Sequence, residues 1–171
     1  MKFVRKPRDN KPPERVITPD EEARLYEGCN TVRNKLLQPA IEWAILSCMR
    51  QGEQFSMTWP NVNFDQRFVL FPMTKNGTAR QVPVSLRMLE ILRSLPRGAS
   101  DNVWEGLSVF AVQHAFPTLA KNVGVENEHW HDLRHIGVTR LLSKGLHQQQ
   151  ISIVRSVRAV RNCVRALFAL R

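Results

Sequence analysis

The chain has 171 residues, 43% of them hydrophobic, with a formal net charge of +10; that length suits one domain with an apolar core, and no run of about 18 apolar residues offers a membrane span. The first twenty positions are charged and proline-rich, unlike a secretory signal, so a cytoplasmic location is expected. The charge is uneven. Residues 1–15 carry six basic side chains, Lys2, Arg5, Lys6, Arg8, Lys11 and Arg15, against Asp9 and Glu14, and residues 151–171 carry five arginines and no acid. The body between is close to neutral, so both ends are basic arms of the kind that attract nucleic acid over about 8–10 Å; a solvated tail is the plainer alternative. Cys29, Cys48 and Cys163 are an odd number without CxxC spacing, and they read as reduced and structural.

Residues 1–17, with Pro7, Pro12 and Pro13 among charges, read as an extended linker or arm, one that in a longer protein would follow a preceding segment. Thr18-Pro19-Asp20-Glu21 combines an N-cap, a proline at the first helical position and a glutamate three residues after the cap, and predicts a helix to about Gly28. Leu36, Leu37, Ile41, Ala44, Ile45 and Cys48 recur at helical spacing, with Pro39 in the first turn and Gly52 as the stop, so a buried helix should deliver Arg50 at its end. A short helical piece should run through Trp59 to a break at Pro60. Residues 67–72 and 79–84 flank Asn76-Gly77, a hairpin signal that places Lys75 beside the tight turn. Ser85 can cap a helix with Leu86, Met88, Leu89, Ile91 and Leu92 on its apolar face, ended by Pro96-Arg97-Gly98. Residues 107–121 look helical, with Pro117 expected to kink or divide them. A helix from His131 to Leu142 stops at Gly145, and 147–171 are helix-compatible with an arginine every three or four positions. The fold class is α+β, mostly helical with a small antiparallel β-hairpin or sheet.

The five residues His131-Asp132-Leu133-Arg134-His135 hold the densest chemistry. A spacing of three places the His131 imidazole and the Arg134 guanidinium on one helix face. Asp132 can serve the first turn of that helix and Leu133 the core. His131 and His135 also have the spacing of a metal pair, with Glu126, Glu128 and His129 upstream, but a metal needs a third ligand held in place, and Arg134 adds like charge. No metal is expected. Arg50 alone reads as a helix-terminal cation and Lys75 alone as a solvated turn lysine. Taken in order, Arg50, Glu53, Trp59, the Lys75 hairpin, His131 and Arg134 describe a phosphate site.

That ordered set resembles the catalytic domain of the tyrosine recombinase, or phage integrase, family, from Ile17 to about Ile153. Cys48-Met49-Arg50-Gln51-Gly52-Glu53 is similar to the family's first-arginine motif, Thr74-Lys75-Asn76-Gly77 with Val82-Pro83-Val84 to its lysine hairpin, and His131-Asp132-Leu133-Arg134-His135 to its His-x-x-Arg box. The resemblance implies a domain over 18–171 that docks on double-stranded DNA as half of a clamp, with a homo-oligomer on DNA as a further expectation and no membrane or cofactor involved. It implies phosphoryl transfer in which a tyrosine oxygen attacks a DNA phosphodiester, a 3′-phosphotyrosyl link forms and a 5′-hydroxyl leaves. Arg50 and Arg134 would present planar forks to the phosphate, His131 would donate to it or assist proton transfer, and Lys75 would protonate the leaving oxygen. Arg50, Lys75 and Arg134, with Lys2, Arg5, Lys6 and Arg8 of the arm, are the DNA-binding candidates.

The chain departs from the family at its end. Aligning Ile151-Ser152-Ile153 with the start of the family's last motif puts Ser156-Val157 where Gly-His should stand and Ala166 where the tyrosine should be. The one tyrosine in the chain, Tyr26, falls in the first predicted helix, where packing is its expected role. Three accounts fit: a diverged or frame-altered end at 151–171, a deliberate change at Ala166 and its neighbours, or another nucleophile such as Cys163 or a residue of a partner molecule. The leading reading is therefore a site-specific recombinase or integrase catalytic domain that lacks its attacking tyrosine. A non-catalytic DNA-binding regulator or competitor at recombination sites is the alternative, and a metal-dependent nuclease a distant third.

Overall fold

A computed structural model of the chain describes residues 17–72, 79–125 and 129–146; the basic arm, Lys75, Glu126, Glu128 and the segment 151–171 with Cys163 and Ala166 lie outside the described residues. Thr18 opens α1 (Pro19–Cys29) through a reciprocal cap. The Glu21 backbone N–H donates to the Thr18 hydroxyl at 3.3 Å, and the Thr18 backbone N–H donates to Glu21 Oε2 at 2.9 Å. Pro19 has no N–H to leave unpaired, and Asp20, Glu21 and Glu22 stand at the positive end of the helix dipole.

The next helix, α2 (Leu37–Ser47), is the centre of the core, with Leu37, Ala40, Ile41, Trp43, Ala44 and Ile45 all buried. Pro39 falls in its first turn, as predicted. The stop is earlier than predicted: Cys48 takes a left-handed backbone, φ 50° and ψ 27°, and ends the helix there. Gly52 is instead inside a second short helix, α3 (Gln51–Phe55), whose N-cap is Arg50. The first arginine is thus delivered by a break between two helices, where the turned backbone projects it outward. Pro60 also initiates rather than breaks, lying within a 3-10 turn over Trp59–Asn61.

Three antiparallel strands follow in the order β1 (Val62–Asn63), β2 (Phe68–Phe71) and β3 (Arg80–Pro83). The hairpin strands were legible; the two-residue β1 was not. Val62 pairs with Val69 and Val69 with Val82, so three buried valines cross one face of the sheet. Ser85 caps α4 (Leu86–Ser94) by accepting the Met88 N–H at 3.3 Å, and Ser108 caps α5 (Val109–Asn122) by accepting the Ala111 N–H at 3.1 Å. Pro117 does not divide α5. Both Pro117 and Gln113, whose carbonyl loses its helical donor, are exposed, so water can take that bond. The last described helix, α6 (Trp130–Ser143), begins one residue before the predicted start, and Gly145, φ 83°, follows its end. Asp132 serves its first turn by accepting the His129 backbone N–H at 2.7 Å.

Two features hold α6 against the rest. A run of edge-on and tilted rings, Trp43 to Trp104, Trp104 to Phe55, Phe55 to Trp130 and Trp130 to Phe116, with centroids 5.6–6.1 Å apart, joins α2, α3, α5 and the start of α6. Further along α6, Gly137 meets α2 so closely that a Cβ there would stand 2.0 Å from the Ile45 carbonyl oxygen and 2.7 Å from Cys48 Sγ. Buried Gln54 ties α3 to α2 by donating Nε2 to the Ala40 carbonyl at 2.9 Å. Cys29 and Cys48 are buried and reduced, and burial pushes the Cys29 thiol up to about 11.

At the far side, α1 and α6 share a polar contact: Arg140 Nη2 donates to Glu22 Oε2, and the Tyr26 hydroxyl donates to Glu22 Oε1 at 2.6 Å. Burial alone would raise the Glu22 carboxyl, but the Arg140 and Tyr26 hydrogen bonds outweigh it and hold the group below the usual carboxylate range. Burial, and then the bond to Glu22, push the Tyr26 phenol well above its ordinary value.

Three substitutions test these contacts. Gly137→Ala should lower unfolding stability in a urea titration by at least about 2 kcal/mol, because the added carbon meets backbone that cannot yield. Gly52→Ala, where a Cβ meets nothing within 4 Å in a helix interior, should be neutral or stabilising by up to about 1 kcal/mol. Because the Glu22 carboxyl is depressed on folding, its contribution is present above its unfolded value of about 4.3 and is lost as pH falls through the lower folded value. Glu22→Gln should therefore cost about 1–2 kcal/mol at pH 7, kept modest by the 37% exposure of the Arg140 side chain, and show a shallower stability loss below pH 5. Parallel pH profiles for the two proteins would contradict this.

Candidate functional site

Arg50 owes its position to the left-handed Cys48 and to its own extended backbone, φ −71° and ψ 147°, at the start of α3. Glu53, one turn on, closes this start: its Oε2 accepts the Arg50 backbone N–H at 3.0 Å and its Oε1 accepts Arg50 Nη1 at 3.0 Å. The same Oε1 accepts Arg80 Nη1 at 2.8 Å, so one carboxylate serves two guanidinium groups. The two differ in exposure, 61% for the Arg50 side chain and 2% for Arg80. Burial pushes Arg80 below the ordinary guanidinium value; the nearby Arg50 charge adds to this and Glu53 opposes it. The trio sums to one positive charge, and Arg50 is its exposed member.

Arg134 and His131 come from the first two turns of α6. Arg134 is 5% exposed, while His131, a turn earlier, is exposed, and its ring meets the His135 ring edge-on at 4.8 Å. Their relation to Arg50 follows from two contacts already described. The Phe55 and Trp130 rings meet at a tilt with centroids 5.7 Å apart, and Cys48 and Ile45 abut Gly137. Arg50 lies between Cys48 and Phe55 in the chain, and His131 and Arg134 lie between Trp130 and Gly137. The two segments thus meet at both ends, and Arg50, His131 and Arg134 occupy chain positions between these two contacts.

Lys75 lies outside the described residues, but its flanks are placed. Phe71 pairs with Arg80 across β2 and β3, and Arg80 reaches the Glu53 that holds Arg50. Tyr26 is elsewhere, on α1, with its hydroxyl given to Glu22 and its phenol resistant to ionisation, both unfavourable to a nucleophile.

Glu53 entered the sequence reading only as a member of the ordered set, and Arg80 only as part of a strand. The signal for Arg80 was the alternation of β3: Val82 is buried, so the residue two earlier shares its face, and an inward-facing guanidinium demands an acid. Which acid it finds, 27 positions away, is a tertiary fact.

The chain is similar to proteins that rearrange DNA. It is 29% identical over 161 residues to the shufflon-specific DNA recombinase of Escherichia coli, covering 94% of this chain and 41% of that relative's length. The fold matches the Tn1549 transposon integrase in complex with circular intermediate DNA at a TM-score of 0.70 and 15% identity, over 96% of this chain and 64% of that one. It also matches the lambda integrase catalytic core at a TM-score of 0.68 and 20% identity, over 85% of this chain and 94% of that one. The sequence profile of the phage integrase family matches residues 15–154, most of the length, and the chain therefore belongs to the phage integrase family.

Proposed function

We propose that this chain is the DNA-binding catalytic domain of a site-specific recombinase, in which Arg50, Lys75, His131 and Arg134 receive one backbone phosphate of duplex DNA. The observation that carries the reading is the double clamp between the α2–α3 junction and the start of α6, which brackets Arg50 on one side and His131 and Arg134 on the other. Within it, Arg50 and Arg134 are forks with fixed charge, suited to the non-bridging oxygens of a phosphodiester as negative charge develops there. His131 donates to the same phosphate, and Lys75, in the stretch of chain between β2 and β3, protonates the departing 5′-oxygen. The likeness to a DNA-bound integrase supports duplex DNA as the partner.

The reading includes a limit. Ala166 stands at the position expected for the attacking tyrosine, and the chain's single tyrosine is Tyr26, committed to Glu22. The 171-residue polypeptide accordingly binds and polarises the phosphate without forming the phosphotyrosyl link. This also supports the second reading, a regulator that occupies recombination sites without cutting them.

The experiment is a suicide-substrate duplex, nicked so that a cleaved strand escapes, together with the same nicked duplex carrying orthovanadate at the nick. The expected result is saturable binding without a covalent protein–DNA adduct. An adduct would remove both the limit and the regulator reading. Arg50→Ala and Arg134→Ala should each weaken the vanadate-bearing duplex about 10- to 100-fold, the worth of one charged hydrogen-bonding group, and intact duplex far less. Equal losses on both ligands would contradict a shared phosphate site. Removal of residues 1–15 should flatten the salt dependence of duplex binding by several units of log–log slope, since each phosphate contact contributes about 0.9; an unchanged slope would make the arm a solvated tail.

A further inference from the structure

We propose that Arg80 is a positioning residue for Arg50: its buried guanidinium fixes Glu53, and Glu53 in turn sets the direction of the Arg50 fork. The proposal rests on the preceding reading that Arg50 contacts the phosphate. The geometry is a relay through a single oxygen, with Arg80 Nη1 at 2.8 Å and Arg50 Nη1 at 3.0 Å from Glu53 Oε1. Oε2 meanwhile holds the Arg50 backbone N–H at 3.0 Å, so both the main chain and the side chain of Arg50 are referred to the same carboxylate.

Burial orders the relay. Arg80 is 2% exposed, Glu53 17% and Arg50 61%, so the innermost cation is rigid and the outermost is the one a ligand can reach. An apolar residue would fill the inward position of β3 as well as an arginine does, as Val82 demonstrates two residues on. What an arginine adds is competition for Glu53. With Arg80 present, Oε1 is shared, and Arg50 keeps donors available to a phosphate; with Arg80 gone, the carboxylate would close fully on Arg50 and neutralise it. Because Arg80 is on β3, paired with Phe71 at the strand ends nearest the segment that holds Lys75, the relay also ties the strands flanking Lys75 to the first arginine.

The test compares Arg80→Met, Arg80→Lys and Arg50→Ala by affinity for intact duplex and for the nicked duplex carrying orthovanadate. Arg80→Met should weaken the vanadate-bearing duplex at least tenfold while changing intact duplex by less than about twofold, and Arg80→Lys should recover most of the loss. Adding Arg80→Met to Arg50→Ala should produce no further loss, since both act through one group. If Arg50→Ala leaves vanadate binding unchanged, the phosphate reading fails; if Arg50→Ala matters and Arg80→Met does not, the positioning proposal alone is overturned. Equal losses on both ligands, unrescued by lysine, would also overturn it, because a purely structural role gives that pattern. Should Arg80→Met not fold, nitrogen-15 relaxation of arginine Nε groups in the unaltered protein decides the matter. Arg50 should be more ordered than the exposed Arg93, and equal mobility would refute the relay.

Discussion

The site depends on the close approach of α2 and α6. Helix axes normally stand 8–10 Å apart, separated by side chains. At Gly137 there is no side chain, and the α6 backbone settles against the Ile45 carbonyl and the Cys48 thiol. Cys48 is also the residue whose left-handed backbone ends α2 and turns the chain toward Arg50. One contact therefore does two things: it sets how near α6 comes, and it braces the turn from which the first arginine leaves. The aromatic contact of Phe55 with Trp130 closes the other end and prevents α6 from pivoting about Gly137.

Electrostatics then sorts the cations that packing has gathered. Arg80 is buried and paired, Arg134 is buried near the start of α6, and Arg50 is exposed with its direction set by Glu53. A buried guanidinium without an acid would be costly to desolvate, so Glu53 is required for the fold before it is required for any chemistry. Shared between two arginines, the one carboxylate meets a buried and an exposed guanidinium, and the exposed member carries positive charge to the surface. A phosphate would meet a preorganised donor rather than a mobile side chain, which is the condition under which such donors contribute most.

The membership of the phage integrase family and the fate of the only tyrosine pull in different directions. The fold and the ordered cations belong to a scaffold whose relatives include a DNA recombinase, and the chain spans 41% of that relative's length. Tyr26, however, serves the α1–α6 contact by hydrogen-bonding Glu22 alongside Arg140. A phenol engaged in this way lowers the free energy of the folded state and is a poor nucleophile, since burial and then the adjacent carboxylate oppose its ionisation.

The sequence by itself determined the helices, the hairpin strands and the family. The Thr18 and Ser85 caps, the apolar spacing through α2, the strands flanking Asn76-Gly77 and the His131–His135 pentad are local signals, read over a few residues, and local hydrogen bonding and periodicity decide such features. It misjudged what depends on neighbours. Gly52 looked like a stop, yet Cys48 ends α2; Pro117 was expected to kink or divide its helix, and α5 runs through it undivided because the orphaned carbonyl can face water. The tertiary structure alone decided that Glu53 would meet Arg80 across 27 positions and that Gly137 would admit the α2 backbone. Both rest on contacts between segments remote in the chain, and neither periodicity nor capping chemistry carries information about which distant surface a buried charge or a missing side chain will face.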